Sequence, residues 1–382
     1  MMKYFNNKLS SGFVALFSGR MIQFAGAGII NLFLPVFLLT RLDYKVEYVF
    51  IYYIIGYLSY ALFLPIGAQF LNKIGLRRSL QISVILDGLF FLCFFLFDRN
   101  PSLFLVLSLI ILLFSRLLFW LPFHTDFAKF TSRLDRGKEV SLMWATRSFL
   151  QVVLPVISGF LIFRYGFNLV FIIAIALYLA AGIPFLTLPR TKEKYSWGVV
   201  ETFKRYFFRE NRKLVIANMA NGAENVVGII IWPIFIWQLL NENYLEVGII
   251  SALIVFVAVI LQLIVGKYTD LSDKRKLLHW GSVFYALGWL VKIFVLTAFQ
   301  IFIVGTYHVF AKIFKDTPFD TLNYEIMADQ GHLVDEYTVL KEIAIQTGRT
   351  LMLIFAIVIA LNLGLNWTFA LAALASLFIN LL

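Results

Sequence analysis

Long apolar runs, each closed by a charge cluster or by Pro and Gly, recur along the whole of this 382-residue chain. With those breaks as boundaries the runs cover residues 11–40, 47–70, 79–97, 101–127, 139–163, 167–188, 214–240, 247–267, 277–298, 300–327, 338–361 and 363–382. A bilayer core of roughly 30 Å takes about 20 residues of helix, so the spacing predicts twelve transmembrane helices, spans 1 to 12 in chain order. Closed β-barrels also cross membranes, but they alternate apolar and polar residues, whereas runs such as Leu103 to Leu113 are apolar on every side. Composition agrees, with 61% of residues hydrophobic and 14% charged, where soluble domains hold about half and about a quarter. A soluble fold of this length has no interior for so much Phe, Leu and Ile. The expected fold class is an all-α membrane protein without a large soluble domain.

The formal net charge of +11 would point to nucleic acid on a soluble chain. Here Lys and Arg gather before span 1 and between spans 2 and 3, 4 and 5, 6 and 7, and 8 and 9, while Arg41, Lys45, Arg99 and Arg164 stand on the other side. The orientation bias of membrane proteins explains that skew, removes the case for nucleic acid, and places both termini in the cytoplasm. Lys3 and Lys8 ahead of an apolar stretch resemble a signal peptide. Arg20 interrupts the run, however, and no small-residue cleavage site follows, so the stretch reads as span 1. Cys93, the single cysteine, lies inside an apolar run and has no partner for a disulfide. The segment between spans 10 and 11 departs from the basic trend, with Glu325, Asp329, Asp335 and Glu336. Between spans 6 and 7, Trp197, Val200, Phe203 and Phe207 recur at helical spacing among Lys204, Arg205 and Arg209, which suits either an amphipathic surface helix or a plain charged linker.

The sequence also repeats. Phe33-Leu34-Pro35-Val36-Phe37 in span 1 matches Ile231-Trp232-Pro233-Ile234-Phe235 in span 7 at an offset of 198, and the same offset places Asn72 on Asp270. Pro122-Phe123-His124-Thr125 in span 4 matches Pro318-Phe319-Asp320-Thr321 in span 10 at 196, and Glu139 matches Glu336 at 197. Four landmarks agreeing within two residues predict two pseudo-symmetric six-helix halves, 1–189 and 214–382, joined by a cytoplasmic linker over 190–213.

The loop after span 2 reads Ala68-Gln69-Phe70-Leu71-Asn72-Lys73-Ile74-Gly75-Leu76-Arg77-Arg78, and the loop after span 8 reads Gly266-Lys267-Tyr268-Thr269-Asp270-Leu271-Ser272-Asp273-Lys274-Arg275. Both resemble the loop signature of the major facilitator superfamily, small-x-x-x-acid-basic-x-Gly-x-basic, and with the spans and the repeat the resemblance covers essentially the whole chain. Asn72 stands where the family usually has Asp, and Asp273 where it usually has Gly. The resemblance implies a secondary transporter working by alternating access, with helices 1, 4, 7 and 10 around a central cavity and with Asn72, Lys73, Gly75, Arg77, Gly266, Asp270, Lys274 and Arg275 as gating-loop residues. In span 5, Pro155 and Gly159 keep part of an element of proton-coupled antiporters, although such a proline also simply kinks a helix.

An ionisable side chain at mid-bilayer costs about 2.5–3.5 kcal/mol or more, so it needs a wet cavity, a partner or a route to the interface. Counted inward at about 1.5 Å per residue, Arg20, Arg116, Glu224, Lys312 and Arg349 reach the middle third of their spans. Arg116 and Lys312 coincide at the 196 offset, a pairing suited to gripping an anionic group or, alternatively, to ion pairs with Asp316 and Glu224. Arg20 and Gln23 map at 198 onto Asn218 and Asn221, with Asn225 continuing the stripe, and these polar faces suit either a hydrophilic ligand or helix-to-helix hydrogen bonds. Glu224 and Asp316 are the candidate proton carriers, because burial favours the neutral carboxyl while neighbouring cations favour the charged one. His308 lies on the face of Lys312 and is a candidate assistant. Arg147 fits either the inner mouth of the cavity or a cytoplasmic salt bridge. Asp87 and Lys292 sit on helices 3 and 9, which the resemblance makes peripheral; both read as structural, with Lys292 snorkelling outward.

The expected function is transport of a small organic anion or phosphate-bearing solute, with proton coupling. The alternatives are an exporter of lipophilic or cationic compounds and a lysolipid carrier. An integral membrane enzyme would have only the Asp316/Asp320 pair to hold Mg²⁺, and a non-transporting receptor would leave the mid-membrane cations unexplained. No cofactor or metal site is expected; the partners are a small-molecule substrate and membrane lipids, the chain is expected to be a monomer, and a bacterial inner membrane is the expected location.

Overall fold

The computed structural model describes residues 10–130, 136–189, 195–269, 273–328 and 333–382. Every regular element in them is helical: α1 (Ser11–Asn31), α2 (Leu34–Arg41), α3 (Val46–Ile74), α4 (Leu76–Phe95), α5 (Pro101–Phe130), α6 (Arg136–Tyr165), α7 (Phe167–Leu186), α8 (Val199–Phe207), α9 (Arg212–Val226), α10 (Trp232–Leu239), α11 (Tyr244–Thr269), α12 (Lys274–Lys292), α13 (Ala298–Ala328), α14 (Val334–Asn362) and α15 (Thr368–Phe378), with short 3₁₀ and π segments between some of them. Nine segments among the described residues are long and apolar enough to cross a bilayer. They coincide with sequence spans 1 to 8 and 11. The other three spans are helical too, but α12 carries Lys274, Arg275, Lys276 and Lys292, α13 carries Lys312, Lys315, Asp316, Asp320 and Glu325, and Leu365–Leu381 is short.

The matched prolines have matched consequences. A proline lacks the N–H that a continuing helix needs, and is tolerated in a first turn. Pro35 accordingly opens α2 after α1 ends at Asn31, and Pro233 opens α10 after a π-helical turn, Val227–Ile231. Each of these spans then ends in two successive left-handed residues, Asp43 and Tyr44 in one and Asn241 and Glu242 in the other, a conformation uncommon outside glycine. The N–H of Tyr44 donates to the Leu39 carbonyl at 3.0 Å, and that of Glu242 to Trp237 at 2.9 Å. Gly166 and Gly364, also 198 apart, both have positive φ just ahead of a helix.

The chain divides into two compact units, one of residues 1–30 and 63–198 and the other of 31–62 and 199–382. In the first, Ala15 and Leu16 of α1, Leu80 and Val84 of α4, Phe119 and Phe123 of α5, and Ala181 and Phe185 of α7 pack into one core. In the second, Ala217 and Ala220 of α9 meet Leu278 of α12 and Phe319 and Leu322 of α13. Helices α9 and α14 cross at backbone distance, because a Cβ on Gly222 would collide with the Ile345 carbonyl and one on Gly348 with the Met219 carbonyl. Small residues are what such crossings require where lipid removes the hydrophobic drive for association. Outward positions such as Phe149, Phe163 and Ile183 are exposed and apolar, as a lipid-facing surface is.

The amphipathic stretch is helical from Val199, so Trp197 precedes the helix and does not share its apolar face. Trp197 is buried, and its carbonyl accepts from Gln69 Nε2 at 3.1 Å. Val200 and Phe207 are exposed, and Arg205 pairs with Glu201 one turn before it at 2.7 Å.

Candidate functional site

The densest polar cluster lies in the second unit, where α9, α12 and α13 meet. On α9 the i, i+3 spacing puts Asn221 and Glu224 on one face; on α13 the same rule puts Lys312 beside Lys315 and Asp316. The Lys315 ammonium donates to Glu224 Oε1 at 2.6 Å, to Asp316 Oδ1 at 2.7 Å and to Asn221 Oδ1 at 3.0 Å. Glu224 Oε2 accepts from the Tyr285 hydroxyl at 2.7 Å. Lys312 Nζ stands 3.8 Å from Asp316 Oδ2. Lys315 is 0% and Glu224 1% exposed, while the Lys312 and Asp316 side chains are 37% and 38% open. The cluster is therefore sealed at one end and accessible at the other. In a low dielectric the sealed pair attracts strongly, and it offsets the large cost of removing each charge from water.

Around this centre, Arg349 on α14 donates to Asn225 Oδ1 at 2.8 Å and lies over the Tyr57 ring at 5.2 Å. Asn218 is wholly buried, with its amide donating to the Leu214 carbonyl and to Asn323 Oδ1 at 2.8 Å, so it is occupied between helices. His308 is buried between the rings of Tyr285 and Trp289, at centroid distances of 4.2 and 4.4 Å. Lys292 differs from the sequence expectation. Its side chain is 3% exposed and turns inward, with Nζ 4.0 Å from the Trp289 ring centroid and 4.2 Å from that of Trp232. Two indole faces supply inside the helices what snorkelling would have sought in water.

The first unit handles its charge differently. Arg20 donates to Gln23 Oε1 at 3.0 Å, and Gln23 donates to Asp87 Oδ2 at 3.0 Å. Ser115 donates to the other oxygen of Asp87. The Arg20 guanidinium lies 5.0 to 5.3 Å from the ring centroids of Phe119, Trp120 and Phe123. The charge of Arg116 also bears on Asp87. Arg147 stacks on Phe24 and Trp144. Asp87 is thus the hub of the polar network in this unit.

Among the loop residues, Asn72 forms a two-way clamp on Tyr195, donating from Nδ2 to its carbonyl and accepting from its N–H, both at 2.9 Å. Gly75 turns the chain at φ +82 ahead of α4, and Arg77 donates to the Leu186 carbonyl. Lys73 occupies the last turn of α3 and Gly266 lies within α11. Asp270 lies outside the described residues, as does Asp329. Asp273, in the place of the family's usual Gly, caps α12 by accepting from the N–H groups of Arg275 and Lys276. Lys274 is ion-paired with Glu325, which gives one of the acidic residues between spans 10 and 11 its role.

Sequence reasoning missed Lys315, Tyr285 and the central place of Asp87. Lys315 carried a signal, since it is three residues from Lys312 and shares its face. Tyr285 carried none.

Apolar helices of bilayer length with charged clusters buried inside each unit mark an integral membrane protein, and the family match makes it a transporter. The chain belongs to the Major Facilitator Superfamily, whose profile matches residues 16–219. Solved structures similar to it include a peptide transporter POT in complex with sulfate, with a TM-score of 0.72 at 11% identity over 97% of this chain and 93% of that one. A mutant of that transporter is similar in complex with alafosfalin (TM-score 0.71, 11% identity) and with sulfate (0.71, 12%), with the same coverage. At these identities the likeness is one of fold. Comparison with curated protein sequences finds no match.

Proposed function

We propose that this protein is a secondary transporter working by alternating access, that it carries a small organic anion or phosphate-bearing solute, and that Glu224 couples transport to protons. The observation that carries the reading is the Lys315 bridge. Its ammonium is held by two carboxylates in a sealed site, and one of them, Asp316, reaches the open rim with Lys312. An anionic solute arriving there competes with Asp316 for Lys312 and Lys315. Protonation of Glu224 removes one of the two charges that neutralise Lys315 and leaves the Tyr285 hydroxyl beside a neutral carboxyl, so a bound anion then restores the balance. Proton uptake and anion binding favour each other through the same ammonium. Within the same unit Arg349, held by the neutral amide of Asn225, supplies a further cation; Arg20, beside Gln23, and Arg116 are the candidate binding cations of the other unit. Sulfate in complex with a protein of this fold is consistent with an anion site.

The turns repeated at 198 residues support two six-helix halves over 1–189 and 214–382, with α12, α13 and Leu365–Leu381 completing twelve spans. Both termini in the cytoplasm of a bacterial inner membrane, the 190–213 linker, gating by the two signature loops and a monomeric state belong to the same reading.

The test is thermal stability of the detergent-purified protein against matched panels of anionic and cationic metabolites, since a ligand that binds only the folded state raises the apparent Tm. A shift from anions that is lost in Lys312→Gln and Arg20→Gln supports the reading, and uptake into liposomes that loses its pH dependence in Glu224→Gln supports the coupling. A shift from lipophilic cations alone overturns it in favour of an exporter using Glu224 and Asp316.

A further inference from the structure

A short helix lying on a folded bundle ordinarily buries its apolar face and shows water its polar one. Helix α8 does the reverse. It packs on α9 and α14, and the residues it buries there are Thr202 and Tyr206, one turn apart. Its apolar residues Val200, Phe203 and Phe207 follow one another at three- and four-residue steps along a different stripe. Val200 and Phe207 are 69% and 80% exposed, and Phe208, the next residue, is exposed as well.

That stripe forms one wall of a groove. Val199, Val200, Phe203, Lys204, Phe207 and Phe208 line a space of about 560 Å³, within the roughly 300–1,000 Å³ of sites that hold a ligand. The groove is open along the helix rather than enclosed, so a soluble ligand seated in it would leave the rings in water.

Position and charge together say what covers it. The bilayer-length segment that contains α9 starts at Arg209, two residues beyond the end of α8. Two residues of chain reach at most about 7 Å, so α8 is held at the edge of the bilayer. Residues 199–213 carry Lys204, Arg205, Arg209, Arg212 and Lys213 against Glu201 and Glu210. Arg205 is taken by Glu201 at 2.7 Å, on the side of the helix away from the groove. Lys204 lines the groove itself, and Arg209, Arg212 and Lys213 are exposed just beyond it. An apolar stripe edged by Lys and Arg suits a helix lying in an anionic lipid surface, with rings below the headgroups and the cations among the phosphates.

We propose that α8 and the basic residues that follow it form a docking surface for anionic phospholipid, with Val200, Phe203, Phe207 and Phe208 against acyl chains and Lys204 and Arg209 at the phosphates. The surface is separate from the Lys312 rim, so it stands or falls whatever solute is carried.

The experiment follows amide hydrogen exchange of the full-length protein in nanodiscs of phosphatidylcholine alone and of phosphatidylcholine mixed with phosphatidylglycerol. Amides of α8 are expected to exchange about tenfold more slowly in the anionic discs, and high salt is expected to shrink that difference. The double variant Val200→Ser, Phe207→Ser leaves the Thr202 and Tyr206 face intact; it is expected to speed α8 exchange in both discs while α9 and α14 exchange as in the parent. Should that variant not fold, Lys204→Gln with Arg209→Gln keeps the apolar stripe and is expected to lose only the slowing that phosphatidylglycerol adds. Equal α8 exchange in the two lipids, α8 protection that survives loss of Val200 and Phe207, or an anionic effect that persists without Lys204 and Arg209 would each overturn the surface. Protection that follows the number of protein copies per disc and not the lipid charge would overturn it in favour of a second copy of the chain.

Discussion

Replacing Lys315 with Met removes the ammonium at the sealed end of the cluster while keeping the length of the side chain. Glu224, 1% exposed, then keeps only the Tyr285 hydroxyl, and Asp316 keeps only Lys312 at 3.8 Å. Removing one partner of a buried ion pair costs about 3–5 kcal/mol, because the remaining charge cannot recover its hydration. For a chain of this size that corresponds to a fall in apparent Tm of roughly 4–6 °C. The decisive comparison is with Glu224→Gln and with the double variant, all in detergent and at one pH. If the cost comes from a stranded carboxylate, the amide at 224 relieves it, and the double variant is more stable than Lys315→Met alone by a coupling of about 1–3 kcal/mol. If Lys315 matters only for its packing, the two substitutions add. Additivity, or a Lys315→Met protein that melts with the parent, refutes the reasoning.

Gly348→Ala drives a methyl group into the Met219 carbonyl and is expected to cost about 1–3 kcal/mol or more; Gly182→Ala, where a Cβ meets only Val84 at ordinary contact distance, is the neutral control, and equal Tm values for the two variants would remove the close crossing of α9 and α14. Asn72→Asp keeps the acceptor for the Tyr195 N–H but turns a second oxygen toward the Tyr195 carbonyl, an expected loss of about 1–3 kcal/mol locally, read as faster protease cleavage between residues 190 and 198; unchanged cleavage contradicts it. Arg20→Lys keeps the charge but loses the planar group shared between Gln23 and three rings, and is expected to weaken the stabilising anion about tenfold in a thermal titration, whereas undiminished affinity would take Arg20 out of the binding role.

The helices were legible because lipid imposes a one-dimensional rule: enough consecutive apolar residues must appear, and prolines and charges mark where they stop. The breaks at Pro35 and Pro233 lay inside spans read as single helices, 11–40 and 214–240, where the two prolines served only as landmarks of the repeat. The rule stopped short at α12 and α13, where charges sit inside the span and their partners decide whether the segment is apolar in effect. Lys315 escaped attention for a related reason. The 196 offset ranked cations by symmetry and so favoured Lys312, which matches Arg116, while Lys315 matches Phe119 and is identified only by Glu224, 91 residues away in sequence. Lys292 was read by the length of its stem, which ends near an interface in one dimension. The indoles that draw it inward come from α10 and from its own helix, and only their convergence in space distinguishes the two outcomes.

The buried cations are stabilised by two different means, and the division cuts across the two units. Arg20 reaches Asp87 only through the neutral amide of Gln23, and its other contacts are ring faces. Arg349 is held in the same way, by Asn225, Gln346 and the Tyr57 ring. Among the described residues neither guanidinium is in a direct ion pair. Lys315, by contrast, must give up a carboxylate at 2.6 or 2.7 Å, and inside a sealed site that loss leaves a charge with nowhere to go unless a proton arrives. Under the proposed function an anion therefore meets Arg349 at lower cost than Lys315, whose ammonium becomes available only once Glu224 is neutral. The amides at positions 23 and 225 hold the guanidinium groups without neutralising them, whereas the carboxylate at 224 neutralises the ammonium.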